Sequence, residues 1–241
     1  MLKQKPCVRI TLTDTQTDIF SSKAGGFGYI PHDGNFPVDK EGNQLRLLAQ
    51  IDCTQVNYEN FPKSGLLQFW ILNDDVYGLP DWGETKPEAI TQDTFRVLYY
   101  PEVDRTVTRE EVLQKYVKSE YDEDEMGMPL FGEYGMTFEP AESYKEPDFE
   151  ENEGTWDEYA ELAEKDGLPQ HRIGGYPYFT QEDPRMGDFP YDFLLFQLDS
   201  DYSDNTDKVL WGDSGIGNFF INSEKLKNLD FSDVLYNWDC C

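Results

Sequence analysis

A Gln-x-Asp motif occurs twice in the chain and is the first candidate for chemistry. Gln50 and Asp52 end the stretch Leu-Leu-Ala-Gln-Ile-Asp at 47–52, and Gln197 and Asp199 end Leu-Leu-Phe-Gln-Leu-Asp at 194–199. Amides and carboxylates at the ends of buried strands usually satisfy main-chain groups. The same groups also supply the few polar contacts of a ligand pocket. We favour the structural interpretation and keep a symmetric ligand site as the alternative.

A Trp-Gly-Asp-Ser-Gly segment contains Trp211, Asp213 and Ser214. Ser214 could act as a nucleophile with His171 as its base, but the Gly-x-Ser-x-Gly spacing is missing and a tight turn explains the same residues. Arg185 follows an aromatic stretch, where it could hold a carboxylate or phosphate, or tie its loop to a neighbouring Asp. We therefore predict no catalytic residue. The predicted ligand-binding residues are Gln50, Asp52, Arg185, Gln197, Asp199, Trp211, Asp213 and Ser214.

Metal and cofactor signatures are weak. Residues 199–204 offer oxygen atoms at alternate positions, as calcium loops do, but position six is Asp204 instead of Gly and position twelve is Leu210 instead of Glu. The four cysteines, at 7, 53, 240 and 241, form no Cys-x-x-Cys pair. The Gly-Gly pairs at 25–26 and 174–175 lack the helix start and lysine of a phosphate loop. We expect no metal and no cofactor.

The two Gln-x-Asp motifs belong to a longer series of matches between the halves of the chain. Gly-Gly-Phe-Gly-Tyr at 25–29 matches Gly-Gly-Tyr-Pro-Tyr at 174–178, and Phe-Pro at 36–37 matches 189–190. Residues 65–71 match 215–221, and Val-Leu-Tyr at 97–99 matches 234–236. The matches occur in the same order, with offsets that change where loops would absorb insertions. This pattern predicts an internal duplication.

Short apolar and aromatic runs predict strands over 8–13, 45–52, 66–72, 95–100, 192–199 and 218–221. Capping boxes at 108–111 and 155–158 predict helices over 108–121 and 155–166. Residues 120–153, rich in Asp, Glu, Gly and Pro, predict an irregular acidic connector.

We expect a β-rich α+β fold in which a duplicated antiparallel β unit forms one pseudo-two-fold, roll-like body with a few peripheral helices. The expected organisation is a single domain over 1–241, with a first repeat unit at 8–100, an acidic helical connector at 101–170 and a second repeat unit at 171–241.

The charge balance restricts the partners. Forty-eight acidic and 20 basic residues give a net charge of −28. Nucleic acids and anionic membranes would be repelled, whereas a basic protein would be attracted. No stretch reaches the ~20 apolar residues of a membrane span, and the first residues lack a secretory pattern. We expect a cytoplasmic protein with reduced thiols, present as a monomer or weak oligomer.

Three segments carry a family resemblance: Gly-Gly-Tyr-Pro-Tyr-Phe-Thr-Gln-Glu-Asp-Pro-Arg at 174–185, Leu-Leu-Phe-Gln-Leu-Asp-Ser-Asp at 194–201 and Trp-Gly-Asp-Ser-Gly-Ile-Gly-Asn-Phe-Phe-Ile at 211–221. They resemble the YwqG-like family of uncharacterised bacterial proteins, and residues 48–52, 65–69 and 235–240 agree with it. The resemblance implies a β-rich fold with an internal repeat, and it implies no catalytic residue.

Two function classes follow. We expect a binding or interaction protein that neutralises a basic protein partner, such as a secreted toxin or nuclease. The alternative is a small-molecule-binding protein or cryptic enzyme with a pocket between the two repeats. The interaction protein is the favoured class, and we expect this chain not to be an enzyme.

Overall fold

The structure is a computed structural model. It describes residues 2–79, 91–119, 122, 127–147, 153–166, 170–185, 190–203 and 206–240. The predicted match of Phe36 with Phe189 therefore lies partly outside the described residues.

Ten antiparallel strands form one sheet. The strands of the first half are β1 (Gln4–Thr13), β2 (Lys23–Ala24), β3 (Arg46–Asp52), β4 (Leu66–Ile71) and β5 (Phe95–Tyr100). The sheet strands of the second half are β6 (Tyr134–Tyr144), β7 (Arg172–Gly174), β8 (Phe193–Asp199), β11 (Ile216–Ile221) and β12 (Val234–Asp239). A separate hairpin consists of β9 (Asp201–Ser203) and β10 (Thr206–Val209). The prediction of a β-rich fold is confirmed.

The strand order is β12-β11-β8-β7-β1-β6-β2-β3-β4-β5. Strands β1 and β6 form the central pair, in register from Gln4 opposite Tyr144 to Thr13 opposite Gly135. On its other side, each central strand pairs with a strand of the opposite half: β1 pairs with β7 of the second half, and β6 pairs with β2 of the first half. The two halves therefore exchange their first long strands across the middle of the sheet.

Strand β6 corrects the prediction of an irregular connector over 120–153. The alternating residues Tyr134, Met136 and Phe138 all pack against the main core cluster. This is the period-two pattern of a strand with one apolar face. Acidic residues and Pro140 around it concealed the pattern in the sequence.

The inner faces of the two halves pack against each other. The ring of Phe69 on β4 stacks on that of Phe196 on β8, with centroids 4.7 Å apart. The edge strands β5 and β12 also meet, because the ring centroids of Phe95 on β5 and Tyr236 on β12 lie 5.3 Å apart. These residues belong to one buried cluster with members from both halves. The outer faces are buried too, because loops and a short helix cover them.

Within the ten-stranded sheet, a β-bulge interrupts one ladder in each half of the described chain. The β3–β4 register shifts between Leu47 and Ala49, which leaves Leu48 as the extra residue. The β8–β11 register shifts so that Leu194 and Phe196 face adjacent partners, which leaves Leu195 as the extra residue. Each bulge bends its strand where the sheet curves around the core.

Helix α1 (Arg109–Gln114) begins at the predicted cap, where Thr108 Oγ1 accepts the N–H of Glu111 at 3.2 Å. It ends well before the predicted residue 121. The reason is Gln44, whose side chain donates to Lys115 O and accepts the N–H of Val117, and so draws the chain away from the helix.

Two further helices lie among the described residues. Helix α2 (Glu153–Asp166) begins two residues before the predicted Thr155, so the predicted cap at that residue is wrong. Helix α3 (Ser223–Lys227) was not predicted. It is capped by Asn222, whose side chain accepts the N–H groups of Glu224 and Lys225.

Candidate functional site between the two halves of the sheet

Gln50 fixes a loop to the outer face of the first half. Its Oε1 accepts the main-chain N–H of Tyr29 at 2.9 Å, and its Nε2 donates to the carbonyls of Ile19 and Ser21. Gln68 on the neighbouring strand donates to the carbonyl of the same tyrosine at 2.8 Å. Both glutamines are fully buried.

Gln197 does the same in the second half. Its Oε1 accepts the main-chain N–H of Tyr178 at 2.9 Å, and its Nε2 donates to Gln170 O. Asn218 on the neighbouring strand donates to the carbonyl of Tyr178 at 3.0 Å. The hydrogen bonds of Gln50 and Gln197 thus secure the covering loops.

The two aspartates also bond to nearby main chain. Asp52 Oδ1 accepts the N–H of Thr54 at 3.0 Å and opens a short 3-10 helix, whereas the buried Asp199 accepts the N–H of Gln170 at 2.8 Å. Burial raises the pKa of Asp199, and the Gln170 N–H partly offsets this rise. The N–H of Asp199 donates to Nδ1 of His171, so this nitrogen is already engaged as an acceptor.

The remaining predicted residues occupy two loops. Trp211 is buried against Tyr77 and Trp238, while Asp213 and Ser214 lie exposed in the turn that follows it. Arg185 donates to both carboxylate oxygens of Asp183, at 2.9 and 2.7 Å, and stacks over Phe220. Ser214 is exposed and His171 is buried, so the structure gives no support to a nucleophile–base pair.

None of the eight predicted site residues lines a cleft of about 610 Å³ that opens between the two halves. We call it the inter-half cleft. Its first-half residues are Pro6, Cys7, Asn57, Tyr58, Glu59 and Asn60. Its second-half residues are Pro140, Ala141, Glu142, Phe193, Ser223 and Leu226. The central strands β1 and β6 form its floor.

Tyr58 positions one wall of this cleft. Its hydroxyl donates to the carbonyl of Pro6 at 3.2 Å, and its ring meets that of Phe193 edge-on at 5.5 Å. The ring also covers Gly174, where an added Cβ would lie only 2.7 Å from Tyr58 Cζ. Burial raises the pKa of Tyr58, and the nearby Cys7, Glu142 and Glu59 raise it further.

The chemistry of the inter-half cleft suits a cation. Two exposed carboxylates, Glu59 and Glu142, stand beside the rings of Tyr58 and Phe193, and no Lys, Arg or His is found among the described residues of the lining. Carboxylates bind an ammonium or guanidinium group, and aromatic faces attract the same groups. The apolar floor would accommodate the aliphatic part of a long basic side chain.

Sequence reasoning missed Tyr58, Glu59 and Glu142 because they belong to no motif. Glu142 lies in the stretch predicted to be irregular, and Tyr58 meets Phe193 only through the fold. The one usable signal was Gly174, whose positive φ of 70° and lack of a side chain permit the approach of Tyr58.

Two features are absent from the part of the chain that the structure describes. No cluster of three or more His, Cys, Asp or Glu side chains there could hold a metal ion. No helix there has both the length and the apolar character needed to cross a membrane.

Comparison with known proteins gives a family and no activity. No curated protein matches the chain. A family model described as a domain of unknown function, DUF1963, matches residues 22–240. The chain therefore belongs to the DUF1963 family.

Proposed function

We propose that this is a binding protein that takes up a cationic side chain of a basic protein partner in the inter-half cleft. The observation that carries the proposal is the lining, in which Glu59 and Glu142 adjoin Tyr58 and Phe193 and no Lys, Arg or His is found among the described lining residues. The described lining residues supply recognition groups for a cation, so we propose binding there.

The distribution of the chain's own cations supports a basic partner. Lys63, Lys115 and Lys208 donate to main-chain carbonyls, and Arg46 pairs with Asp122. Lys23 is fully buried and pairs with Glu133. These bonds engage five of the chain's 20 cationic side chains, while the chain as a whole carries a net charge of −28. Such a net charge accelerates encounters with a basic protein.

We also propose that the fold is an internal duplication with a pseudo-two-fold axis between β1 and β6. The strand order supports it, because β2-β3-β4-β5 extends from β6 just as β7-β8-β11-β12 extends from β1. All four glycines of the two Gly-Gly pairs have positive φ, between 69° and 76°. The bulges at Leu48 and Leu195 have the same spacing as the two Gln-x-Asp motifs.

The same proposal requires one correction to the alignment of the two halves. If Phe69 corresponds to Phe219, the residue opposite each should also correspond. Val97 lies opposite Phe69, whereas Tyr236 lies opposite Phe219. The sequence match of Val97 with Val234 is therefore two residues out of register.

We propose a single domain over 1–241 with repeat units at 8–100 and 171–241. Residues 101–170 join the two units and contribute β6. We also propose that the chain belongs to the YwqG-like group and is a cytoplasmic monomer or weak oligomer. The core shared by both halves supports the single domain. The buried Cys53 is a free thiol, as a reducing compartment would require.

The second candidate function is small-molecule binding. It is favoured by the volume of about 610 Å³, which falls within the range of ligand pockets, roughly 300–1,000 Å³. The ligand would be an organic cation for the same reasons of charge.

Calorimetric titration with a hexa-arginine peptide tests the main proposal. The variant E59Q/E142Q should bind about twofold or more weakly than the wild type, since it loses two contacts of about 0.2–1 kcal/mol each. The control E102Q/E110Q removes the same charge from exposed residues outside the cleft. Equal weakening in both variants would contradict the proposal, because it would reduce binding to overall charge.

A further inference from the structure

A second cleft of about 500 Å³ lies at the corresponding corner of the first half. We call it the aromatic cleft. It includes Arg46 at the start of β3, Asn73 after β4, and Glu133 just before β6. The inter-half cleft includes Phe193 at the start of β8, Ser223 after β11, and Cys7 in β1. Under the proposed duplication, Arg46 corresponds to Phe193, Asn73 to Ser223 and Glu133 to Cys7. The two clefts therefore occupy equivalent places.

Three aromatic rings form the wall of the aromatic cleft. Phe27 meets Tyr116 edge-on at 5.1 Å and Phe36 at 6.3 Å, and Phe36 lies 6.0 Å from Tyr116. Phe131, which is 48% exposed, extends the apolar rim. Because Phe36 is only 4% exposed, an incoming cation would meet the half-buried Phe27 and the exposed Phe131.

Glu133 supplies the charge. Its Oε1 accepts hydrogen bonds from Thr17 and from the buried Lys23, while Oε2 lies 3.7 Å from a guanidinium nitrogen of Arg109. The carboxylate packs against Gly26, where any side chain would overlap it. Burial acts to raise the pKa of Glu133, but the hydrogen bonds from Thr17 and Lys23 outweigh it and lower the pKa.

The chain's own arginines already use this combination of ring and carboxylate. Arg46 lies 4.6 Å over the ring of Tyr116 and pairs with Asp122 through two nitrogens, at 3.0 and 3.1 Å. Arg109 lies 5.8 Å over Phe27 and beside Glu133, but its side chain is 45% exposed. Arg46 is held firmly, whereas Arg109 makes one long ion pair that an incoming guanidinium could replace.

We propose that the aromatic cleft is a second site for an arginine side chain of the basic partner, and that the incoming guanidinium displaces Arg109 from Glu133 and Phe27. The identity of the partner rests on the proposed function. The site itself rests on the rings, the carboxylate and the position of Arg109.

Titration of the ¹⁵N-labelled protein with N-acetylarginine amide, followed by NMR, tests the proposal. We expect saturating shifts of the Gly26 and Gly132 amides, which report on the aromatic cleft, and of the Asn60 amide, which reports on the inter-half cleft. Movement of Asn60 alone would overturn the second site and leave the proposed function standing. Chemical-shift changes at Gly26 and Gly132 alone would overturn the inter-half cleft as the cation site and leave the aromatic cleft standing.

Two variants test the displacement of Arg109. R109A should tighten binding measured at Gly26 and Gly132 about threefold or more, because Oε2 of Glu133 and the ring of Phe27 lose their cation. R105A removes the same charge from an arginine that stacks on Phe20 at 4.8 Å outside the cleft, and it should have a smaller effect. F131A should weaken binding at Gly26 and Gly132 and leave Asn60 unchanged. Equal effects of R109A and R105A, or no effect of F131A, would overturn the proposal.

Discussion

Gln50 and Gln197, separated by 147 positions (197 − 50), make the same hydrogen bond: each side-chain oxygen accepts the main-chain N–H of a tyrosine at 2.9 Å. A second amide, from Gln68 or Asn218, donates to the carbonyl of that tyrosine. In each half, two buried amides thus satisfy both main-chain groups of one residue. This is how a polar loop can cover a buried sheet face without losing hydrogen bonds.

Removing either glutamine should destabilise the protein to a similar degree. Q50A and Q197A each remove the acceptor of a tyrosine N–H, buried at Tyr29 and half-buried at Tyr178, so we expect the free energy of unfolding to fall by about 1–3 kcal/mol in each. Urea unfolding measures this, with Q16A as an exposed control expected to change by less than about 0.5 kcal/mol. A fall in only one of the two variants would show that the glutamines are not equivalent.

Alanine at Gly174 should cost more than alanine at Gly42. Both glycines have positive φ, 70° and 91°, so both substitutions carry backbone strain of about 1–2 kcal/mol. Nothing lies within 4 Å of an added Cβ at Gly42, whereas the Tyr58 ring would be in the way at Gly174. Thermal unfolding should therefore show a larger loss for G174A. Equal losses would mean that Tyr58 moves freely.

Phe69 and Phe196 should be energetically coupled, because their stacked rings join the two halves. Each single substitution to Ala should cost about 3–5 kcal/mol, as expected for large buried rings. The double-mutant cycle should give a coupling of about 0.5–1.5 kcal/mol. Each single-substitution variant should unfold in one transition. Two separate transitions, or additive losses, would contradict a core shared by both halves.

Stability should depend on pH through Asp199. Its pKa is raised above the ordinary 3.8, so ionisation costs more in the folded protein than in the unfolded chain. The penalty is absent below the ordinary pKa, appears as pH rises towards the raised pKa and is complete above it. D199N should therefore gain stability relative to the wild type as pH increases from 4 to 8. Urea unfolding at several pH values measures this difference, and a difference that stays constant would contradict it.

Much of the fold was predictable from local pattern. The strands around Gln50, Phe69 and Phe219 lie within one or two residues of their predicted bounds, because short apolar runs between glycines leave few alternatives. The pattern failed at β6, where Tyr134, Met136 and Phe138 alternate within an acidic, proline-containing stretch. Helix α1 ended early because Gln44, distant in sequence, bonds to its last turn.

The candidate site was less predictable. Repetition drew attention to Gln50 and Gln197, but the repeated property is their bonding to covering loops. The inter-half cleft combines Tyr58 with Phe193 and Glu59 with Glu142, and neither pair is close in sequence. These residues meet around the pairing of β1 with β6, which no local signal in the sequence encodes.

Paramagnetic broadening locates a bound basic partner most directly. With a spin-labelled hexa-arginine peptide and ¹⁵N-labelled protein, the Asn57, Asn60 and Ser223 amides at the inter-half cleft should broaden at the lowest peptide concentrations. E59Q/E142Q should abolish this preference. Broadening centred instead on exposed acidic residues elsewhere, such as Asp157 and Glu161 of α2, or spread evenly over the surface, would contradict the account.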